Sequence, residues 1–407
     1  MGSSTEPSAL RILIVGAGIG GLSAGLALRR QGHQVTLFER SKFSAEIGAA
    51  IHSAPNCSRV LRRLGVSPED YGGTLMKAFS LCDHIDGTFK SLGDFSEERE
   101  WYLMHRAQLH SALKDTALSK EGLGIPVQLQ LACQIVGLDI STATVTLNNG
   151  QSYKGDMVIG ADGVHSWTRT FIDSTTKPFS TNMACYRWIA PNEDLAKHKD
   201  TVELSKKRNH CVEWVSDDRR IIYYPCSDHT ISNFGAFVPT VASKSGTNSD
   251  WNTPGSRAHL QEAFKDFGPM VQRLIQDAPV SELKLWELLD METLSTWHKD
   301  SLVLIGDAAH PFLPFMGQGG AMAIEDSAAL AALLPLGTEA IDIPAKLKIW
   351  EDCRKERVER IRDFTRRNGR SPNDPAAPRP SYEETMEVMS YCVNYDAWEQ
   401  ASGVLNN

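Results

Sequence analysis

The chain has 407 residues, 42% of them apolar and 23% charged, a balance that allows a core large enough for two interlocked domains and a bulky cofactor. Its formal net charge of −8, with no basic stripe or interleaved aromatic platform, excludes electrostatic capture of nucleic acid and points to a small-molecule partner. Eight cysteines (Cys57, Cys82, Cys133, Cys185, Cys211, Cys226, Cys353, Cys392) form no CxxC pair and no zinc-spaced cluster with histidine, so reduced, mostly buried thiols and no metal are expected.

Met1–Ala9 is a polar stub without the basic stretch or small-residue cleavage site of a secretory signal, which makes a cytoplasmic location the expectation. Met1-Gly2-Ser3-Ser4 has the look of an expression remnant, and Glu6 stands where a myristoylation signal wants Ser or Thr. Ile12–Leu28 is uncharged, but five glycines interrupt it and it barely reaches spanning length, so no stable membrane insertion is expected.

Leu10–Val15 reads as a strand running into Gly16-Ala17-Gly18-Ile19-Gly20-Gly21, after which small and apolar residues recur at helical spacing to Arg30. Gly32 breaks that helix, and Gln34–Phe38 makes a second strand closing at Glu39, which completes a βαβ unit. In Gly16-x-Gly18-x-x-Gly21 the glycines permit a tight turn, close approach of backbone to a pyrophosphate and close packing of helix on strand, while the helix N-terminus faces the phosphate charge. Glu39, with Arg40 beside it, is placed to accept hydrogen bonds from ribose hydroxyls. This predicts a bound dinucleotide against the plainer alternative of an empty glycine turn. It leaves NAD and FAD open, because both contain the same adenosine diphosphate half.

Helices follow around Asn56–Leu64 and, after His105-Arg106, around Gln108–Leu118; Val127–Tyr153 alternates as antiparallel strands with Asn149-Gly150 as a hairpin turn. Met157–Ile159 returns to the first sheet. From Thr176 to Leu285 the composition shifts to short aromatic-rich strands such as Cys211–Val215 and Arg220–Tyr224, the pattern of a second domain inserted into the first. Ser301–Ile305 and the small-residue helix Gly320–Leu334 resume the first domain. Lys346–Arg370 then carries ten Lys/Arg against five Asp/Glu around the stripe Leu347, Trp350, Val358, Ile361 and Phe364, which predicts a helix with solvated charges packed on the core by its apolar face. Ser371–Pro380 reads as a loop. The expected fold class is α/β: a Rossmann-like dinucleotide-binding domain with a mixed sheet over residues 1–75, 100–175 and 286–345, an inserted α+β substrate domain over 76–99 and 176–285, and a C-terminal helical region over 346–407.

Two further motifs follow strands of the first domain: Gly160-Ala161-Asp162-Gly163-x-x-Ser166-x-x-Arg169 and Gly306-Asp307-Ala308-Ala309-His310-Pro311. With three motifs in this order the chain resembles the flavoprotein aromatic hydroxylases of p-hydroxybenzoate hydroxylase fold, over nearly all of the first domain. The resemblance implies an FAD cofactor, NADH or NADPH as reductant, O2 as oxidant, and hydroxylation of a small aromatic substrate through a flavin C4a-hydroperoxide, by a monomer or homodimer. It further implies that Asp307 holds a ribityl hydroxyl, that Asp162 and Gly163 serve FAD and nicotinamide binding, and that Arg106 contacts the FAD phosphate and ribityl region. Asp162 and Asp307 also suit helix N-caps at strand ends. Pro314-Phe315-Met316-Gly317-Gln318-Gly319-Gly320 leads into a helix whose backbone N–H groups then face the flavin's pyrimidine edge, where they favour anionic reduced flavin.

Glu46–His52, with Ala49 and Ala50 small beside the ring and Pro55-Asn56 following, is similar to the flavin-lining segment of the salicylate hydroxylase and 6-hydroxynicotinate 3-monooxygenase branch. In that branch the position of His52 lies near the substrate; a structural histidine is the alternative. Arg220-Ile221-Ile222-Tyr223-Tyr224-Pro225 resembles a strand of the same branch, which makes Tyr224 a candidate to polarise a phenol or a core tyrosine, and Arg220 departs from the histidine common there. Arg187, in Tyr186-Arg187-Trp188, is either a cation of the pocket or an exposed salt-bridging arginine. No second dinucleotide fingerprint is present, in keeping with transient nicotinamide use. On the same scaffold the alternatives are an epoxidase and a dearomatising or decarboxylating oxygenase. A halogenase is disfavoured, Trp188-Ile189-Ala190-Pro191 being a partial match to its WxWxIP element, and a non-catalytic binding protein resembling the GDP-dissociation inhibitors is opposed by the intact flavin motifs.

Overall fold

The computed structural model describes residues 8–42, 49–94, 99–240, 253–370 and 378–405. Arg11–Val15, a run of β-branched and leucine side chains, is buried along four of its five residues and lies at the centre of a six-stranded sheet in the order His298–Lys299, Leu302–Leu304, Met157–Gly160, Arg11–Val15, Gln34–Phe38, Gln128–Gln130. All pairings are parallel except the edge pair of His298–Lys299 with Leu302–Leu304. Strands buried on both faces read as continuous apolar runs, as Arg11–Val15 and Met157–Gly160 do. The helix Ile19–Arg30 covers one face and packs against Gly319–Leu333, whose small residues let the two backbones approach.

A seven-stranded sheet holds Lys284–Asp290, Phe179–Pro191, Ile231–Pro239, Arg220–Cys226, His210–Val215, Ala78–Cys82 and Phe89–Asp94 in that order. It is antiparallel apart from the parallel pairing of His210–Val215 with Ala78–Cys82. Side chains alternate between its faces. One face (Tyr186, Trp188, Trp214, Tyr223, Phe234) is buried with Leu260, Phe264, Leu274 and Ile275 from the helices Arg257–Ala263 and Pro269–Asp277. The other looks toward the first sheet.

Three expectations need correction. Gln128–Gln130 is not part of the antiparallel meander; it pairs in parallel with Gln34–Phe38 at the edge of the first sheet, and only Ile135–Asp139, Thr144–Leu147 and Ser152–Lys154 form the antiparallel set, with the turn at Asn149-Gly150. The seven-stranded sheet runs on to Asp290, past the expected boundary at 285. The helix Ile343–Asn368 packs on the core as its stripe requires, but its charges are not all solvated: Arg354, Arg357 and Arg362 are buried, the first two in ion pairs with the buried carboxylates of Glu325 and Asp326. Residues 371–377 of the expected loop lie outside the described residues. All eight cysteines are free thiols. Among the described residues no helix is long and apolar enough to cross a membrane.

Candidate active site

A cavity of about 630 Å³ lies between the two sheets and takes part of its wall from the glycine turn, the loops after Met157–Gly160 and Leu302–Leu304, residues 314–320 and the strands bearing His52 and Tyr224. At one end is the glycine turn. Gly16 has φ +100°, and a Cβ there would sit 2.4 Å from the Ala161 carbonyl oxygen, so only glycine allows the first strand to turn tightly against the strand Met157–Gly160. Gly21 packs back on Gly16. Gly18, the residue before the helix, differs from both: its backbone is extended, nothing lies within 4 Å of where its Cβ would be, and it lines the cavity. A helix N-terminus without a side-chain cap and with open space before it suits a phosphate. Glu39 stands at the end of the second strand and accepts from Ala17 N at 2.9 Å and Ser41 N at 2.8 Å, so its carboxylate is fixed beside the turn. Arg40 is exposed, and neither Glu39 nor Arg40 lines the cavity.

The Asp162 carboxylate turns away from the cavity into its own loop. It accepts from Ser166 Oγ (2.6 Å), Thr168 Oγ1 (2.7 Å), Trp167 N (2.8 Å) and Thr168 N (2.9 Å), so it braces the loop without being the residue that caps the short helix Thr168–Phe171, and it leaves Gly163 and Val164 on the wall. Arg169 ties this loop to the next motif by donating to the carbonyls of Val164 (2.6 Å) and Ala308 (3.0 Å). Asp307 points into the cavity. Its surface is open to the lumen although protein surrounds it, and this burial raises its pKa above the usual carboxylate range against the opposing charges of His310, Arg106 and Arg169. Arg106 opens the helix Arg106–Leu118, lines the cavity, and is anchored by its backbone N–H to the Ala49 carbonyl at 2.8 Å.

Pro314–Met316 forms a short turn closed by Gly317 at φ +62°, and Gln318 precedes the helix Gly319–Leu333, so the first N–H groups of that helix are exposed to the cavity its residues line. Behind that N-terminus, Asn56 donates to Gln318 Oε1 (3.0 Å) and Glu325 Oε1 (2.7 Å). Ala50 lines the cavity and donates its N–H to Asn233 Oδ1 at 3.1 Å, which joins the strand Ala50–Ser53 to the seven-stranded sheet. Glu46–Gly48 lie outside the described residues.

His52 packs on Gly317, where a Cβ would lie 3.3 Å from its Cγ, and meets Tyr224 edge-on with ring centroids 4.5 Å apart. Trp101 Nε1–H donates to His52 Nδ1 at 3.2 Å. Burial pulls the His52 pKa down to about 4, so the neutral ring carries its proton on Nε2. The Tyr224 hydroxyl has no hydrogen-bond partner among the described residues, and burial raises its pKa, which keeps it a phenol. Arg220 lines the cavity 3.6 Å from Glu213 and donates to the Asn368 carbonyl at 3.1 Å. Arg187 is not an exposed salt-bridging residue: it lines the cavity, with its guanidinium 4.4 Å over the Trp286 ring.

Sequence reasoning missed the rest of the wall. Asn233, Gly235 and Phe237 alternate along one strand, a period-two signal that names a shared face without saying what the face looks at. Arg379, Tyr382, Met386 and Met389 close the outer side from the segment before and within the helix Tyr382–Val393, where Tyr382 Oη donates to the Leu92 carbonyl at 2.7 Å.

Comparison with known proteins agrees with this layout. The family described as FAD binding domain matches residues 9–365. Hispidin-3-hydroxylase of Neonothopanus nambi is 34% identical over 371 residues, 86% of each chain, and 6-hydroxynicotinate 3-monooxygenase of Bordetella bronchiseptica is 30% identical over 400 residues, 96% of each. In backbone fold, a salicylate hydroxylase substrate complex superposes with a TM-score of 0.79 at 24% identity over 97% of each chain.

Proposed function

The chain belongs to the FAD binding domain family and is an FAD-dependent monooxygenase; on that premise we propose that it consumes NADH or NADPH and O2 to insert one oxygen atom into a phenolic or heteroaromatic small molecule. The observation that carries this is the single cavity that joins the glycine-turn and Asp307 cradle to the sheet face bearing Tyr224 and Arg187. Bound FAD supplies the redox chemistry, accepting two electrons from the nicotinamide and activating O2.

The open N-terminus at Gly18 would receive the pyrophosphate and Asp307 and Arg106 would hold the ribityl region, with open space at Gly163 beside them. The N–H groups at Gly319 and Gly320 line the cavity and would favour negative charge on the reduced flavin, which a helix N-terminus stabilises by up to about 2 kcal/mol when partly buried. Tyr224, kept protonated by burial, and His52, with its proton on Nε2, hydrogen-bond the substrate's ring oxygen. Phe79, Trp101, Phe237 and Phe315 exclude water from the reacting edge.

The test starts from the purified protein's visible spectrum and anaerobic NADH and NADPH oxidation with and without phenolic, salicylate-like and hydroxypyridine acids. A yellow protein whose flavin reduction accelerates with one compound, and which under O2 gives that compound plus one oxygen atom, is the expected result. Protein that neither holds nor takes up flavin refutes the reading.

A further inference from the structure

Three aromatic rings and a backbone turn enclose the His52 imidazole. Tyr224 meets it edge-on with centroids 4.5 Å apart, Trp101 edge-on at 6.1 Å, and Phe79 lies nearly parallel to it at 6.4 Å; Phe79 and Trp101 in turn meet edge-on at 5.4 Å. Gly317 packs on the ring as well. Among the described residues one hydrogen bond reaches it, from Trp101 Nε1–H to His52 Nδ1 at 3.2 Å. The chain bends to deliver that donor. Glu100, directly before Trp101, sits in the left-handed region at φ +40° and is tied to Arg62 Nη2 at 3.0 Å, and the Trp101 carbonyl accepts from Met76 N at 2.7 Å. A non-glycine residue at positive φ persists only where its surroundings enforce it, and such residues concentrate at functional sites. Trp101 is buried one residue ahead of the strand Tyr102–His105, which pairs with Ala50–Ser53, so donor and acceptor ride on one antiparallel pair.

An indole N–H can only donate, so the imidazole nitrogen that faces it must present a lone pair. The neutral ring then carries its one proton on Nε2. A second proton on Nδ1 would set N–H against N–H inside the protein, where neither donor finds another acceptor. Turning the ring over exchanges Nδ1 for Cδ2 and leaves the indole donor facing a C–H. Neither nitrogen is therefore free to take up a proton: Nδ1 is occupied by Trp101, and Nε2 already holds one. His52 lines the cavity, and what it can offer a ligand there is a donor.

We propose that Trp101 is a positioning residue for this chain's reaction: its indole N–H locks the His52 tautomer, so that His52 donates from Nε2 to an oxygen of the substrate ring and cannot be the base that deprotonates it. This rests on the monooxygenase reading and sets the direction of one hydrogen bond within it. The test labels the histidine side chains of the FAD-loaded protein and reads their tautomers by proton–nitrogen NMR, with the His52 signals identified by their loss from His52→Gln. Wild type should show Nε2 protonated and Nδ1 bare. Trp101→Phe, which keeps an aromatic ring and removes the donor, should release the lock and populate the Nδ1–H tautomer. It should also lower kcat/KM about tenfold for the compound that accelerates flavin reduction, the effect of one misdirected hydrogen bond. Trp101→Leu is the second variant, with the same expectation. A proton on Nδ1 in wild type, an unmoved tautomer in a variant that folds, or an unchanged kcat/KM overturns the inference. So does failure of both variants to fold around FAD, which would leave Trp101 a core residue. The NMR readout needs no turnover, so the two readings fail separately: if NADH does not bleach the wild-type flavin anaerobically, the monooxygenase reading falls, and if it does while the tautomer is unmoved, only the role of Trp101 falls.

Discussion

Replacing Arg354 by Met should cost this protein far more than its position in a charge-rich helix suggests. Arg354 donates to Glu325 Oε2 at 2.7 Å and to Asp326 Oδ1 at 2.9 Å, and all three side chains are 0% exposed. Hydrogen bonds to charged groups contribute about 1.5–3 kcal/mol each, and breaking a buried ion pair costs about 3–5 kcal/mol. The orphaned acids are not left alone: Glu325 keeps Arg357 and Asn56, and Asp326 keeps His310 at 2.7 Å and the Gly306 N–H at 3.0 Å. The lower part of the range, about 3–4 kcal/mol, is therefore expected. In thermal unfolding of a chain this long that corresponds to a fall of roughly 3–5 °C in Tm. Arg360→Met is the internal control, since Arg360 pairs with Glu387 at 3.2 Å on the surface of the same helix, where such pairs contribute about 0–1 kcal/mol. Because Asp326 also fixes Gly306, the residue before Asp307, Arg354→Met should weaken FAD binding as well, measured by fluorescence titration of the apoprotein. If the two variants lose equal stability, below about 1 kcal/mol, the assignment of a stabilising role to the buried pairs is wrong.

Gly18→Val should fold with near-normal Tm yet bind FAD at least a hundredfold more weakly, because its extended backbone tolerates a side chain that would fill only ligand space, whereas Gly16→Val, at φ +100° and 2.4 Å from the Ala161 oxygen, should be unstable with or without FAD; equal stability of the two variants counts against the distinction. His52 has a folded pKa of about 4 against an unfolded value near 6.5, so the unfolded state binds more protons between them. Stability from this group is complete above pH 6.5 and declines as pH falls to 4, by about 3 kcal/mol. Denaturation by urea at pH 7 and 4.5 should thus show a steeper acid loss in wild type than in His52→Gln, and parallel losses would refute a neutral buried His52. Tyr224→Phe removes a hydroxyl with no protein partner among the described residues, so Tm should move little while the fraction of NAD(P)H consumption that ends in hydroxylated product falls, as read by product analysis against peroxide release.

The dinucleotide turn and the loops carrying Asp162 and Asp307 were legible because each packs its meaning into a few adjacent residues: glycine where backbone must turn or be approached, an acid at a strand end. What periodicity could not supply was the partner across space. The charges of Lys346–Arg370 are spread around the helix, and nothing in that segment says that Glu325 and Asp326, on another helix, will meet Arg354 and Arg357 out of solvent. Gln128–Gln130 was misplaced for a similar reason, since a three-residue strand carries no mark of a parallel partner nearly a hundred residues earlier. Arg187 and Gly235 became a pair only through the register of Phe179–Pro191 with Ile231–Pro239.

The buried pairs also bear on the chemistry of the cavity. Glu325 and Asp326 lie in the second turn of the helix whose N-terminus opens at Gly319, and two bare carboxylates there would set negative charge against the partial positive charge of that terminus. In a low-dielectric interior such opposition is poorly screened. Arg354 and Arg357 cancel it in place, with Arg357 binding Glu325 through two nitrogens at 2.8 Å each. The ion cluster therefore does more than hold the C-terminal helices to the core. It leaves the positive end of that helix unopposed by its own second turn, so that on the proposed function the N–H groups beside Gly317 would favour negative charge on reduced flavin, while His52, packed on Gly317, and Tyr224 are kept neutral by burial.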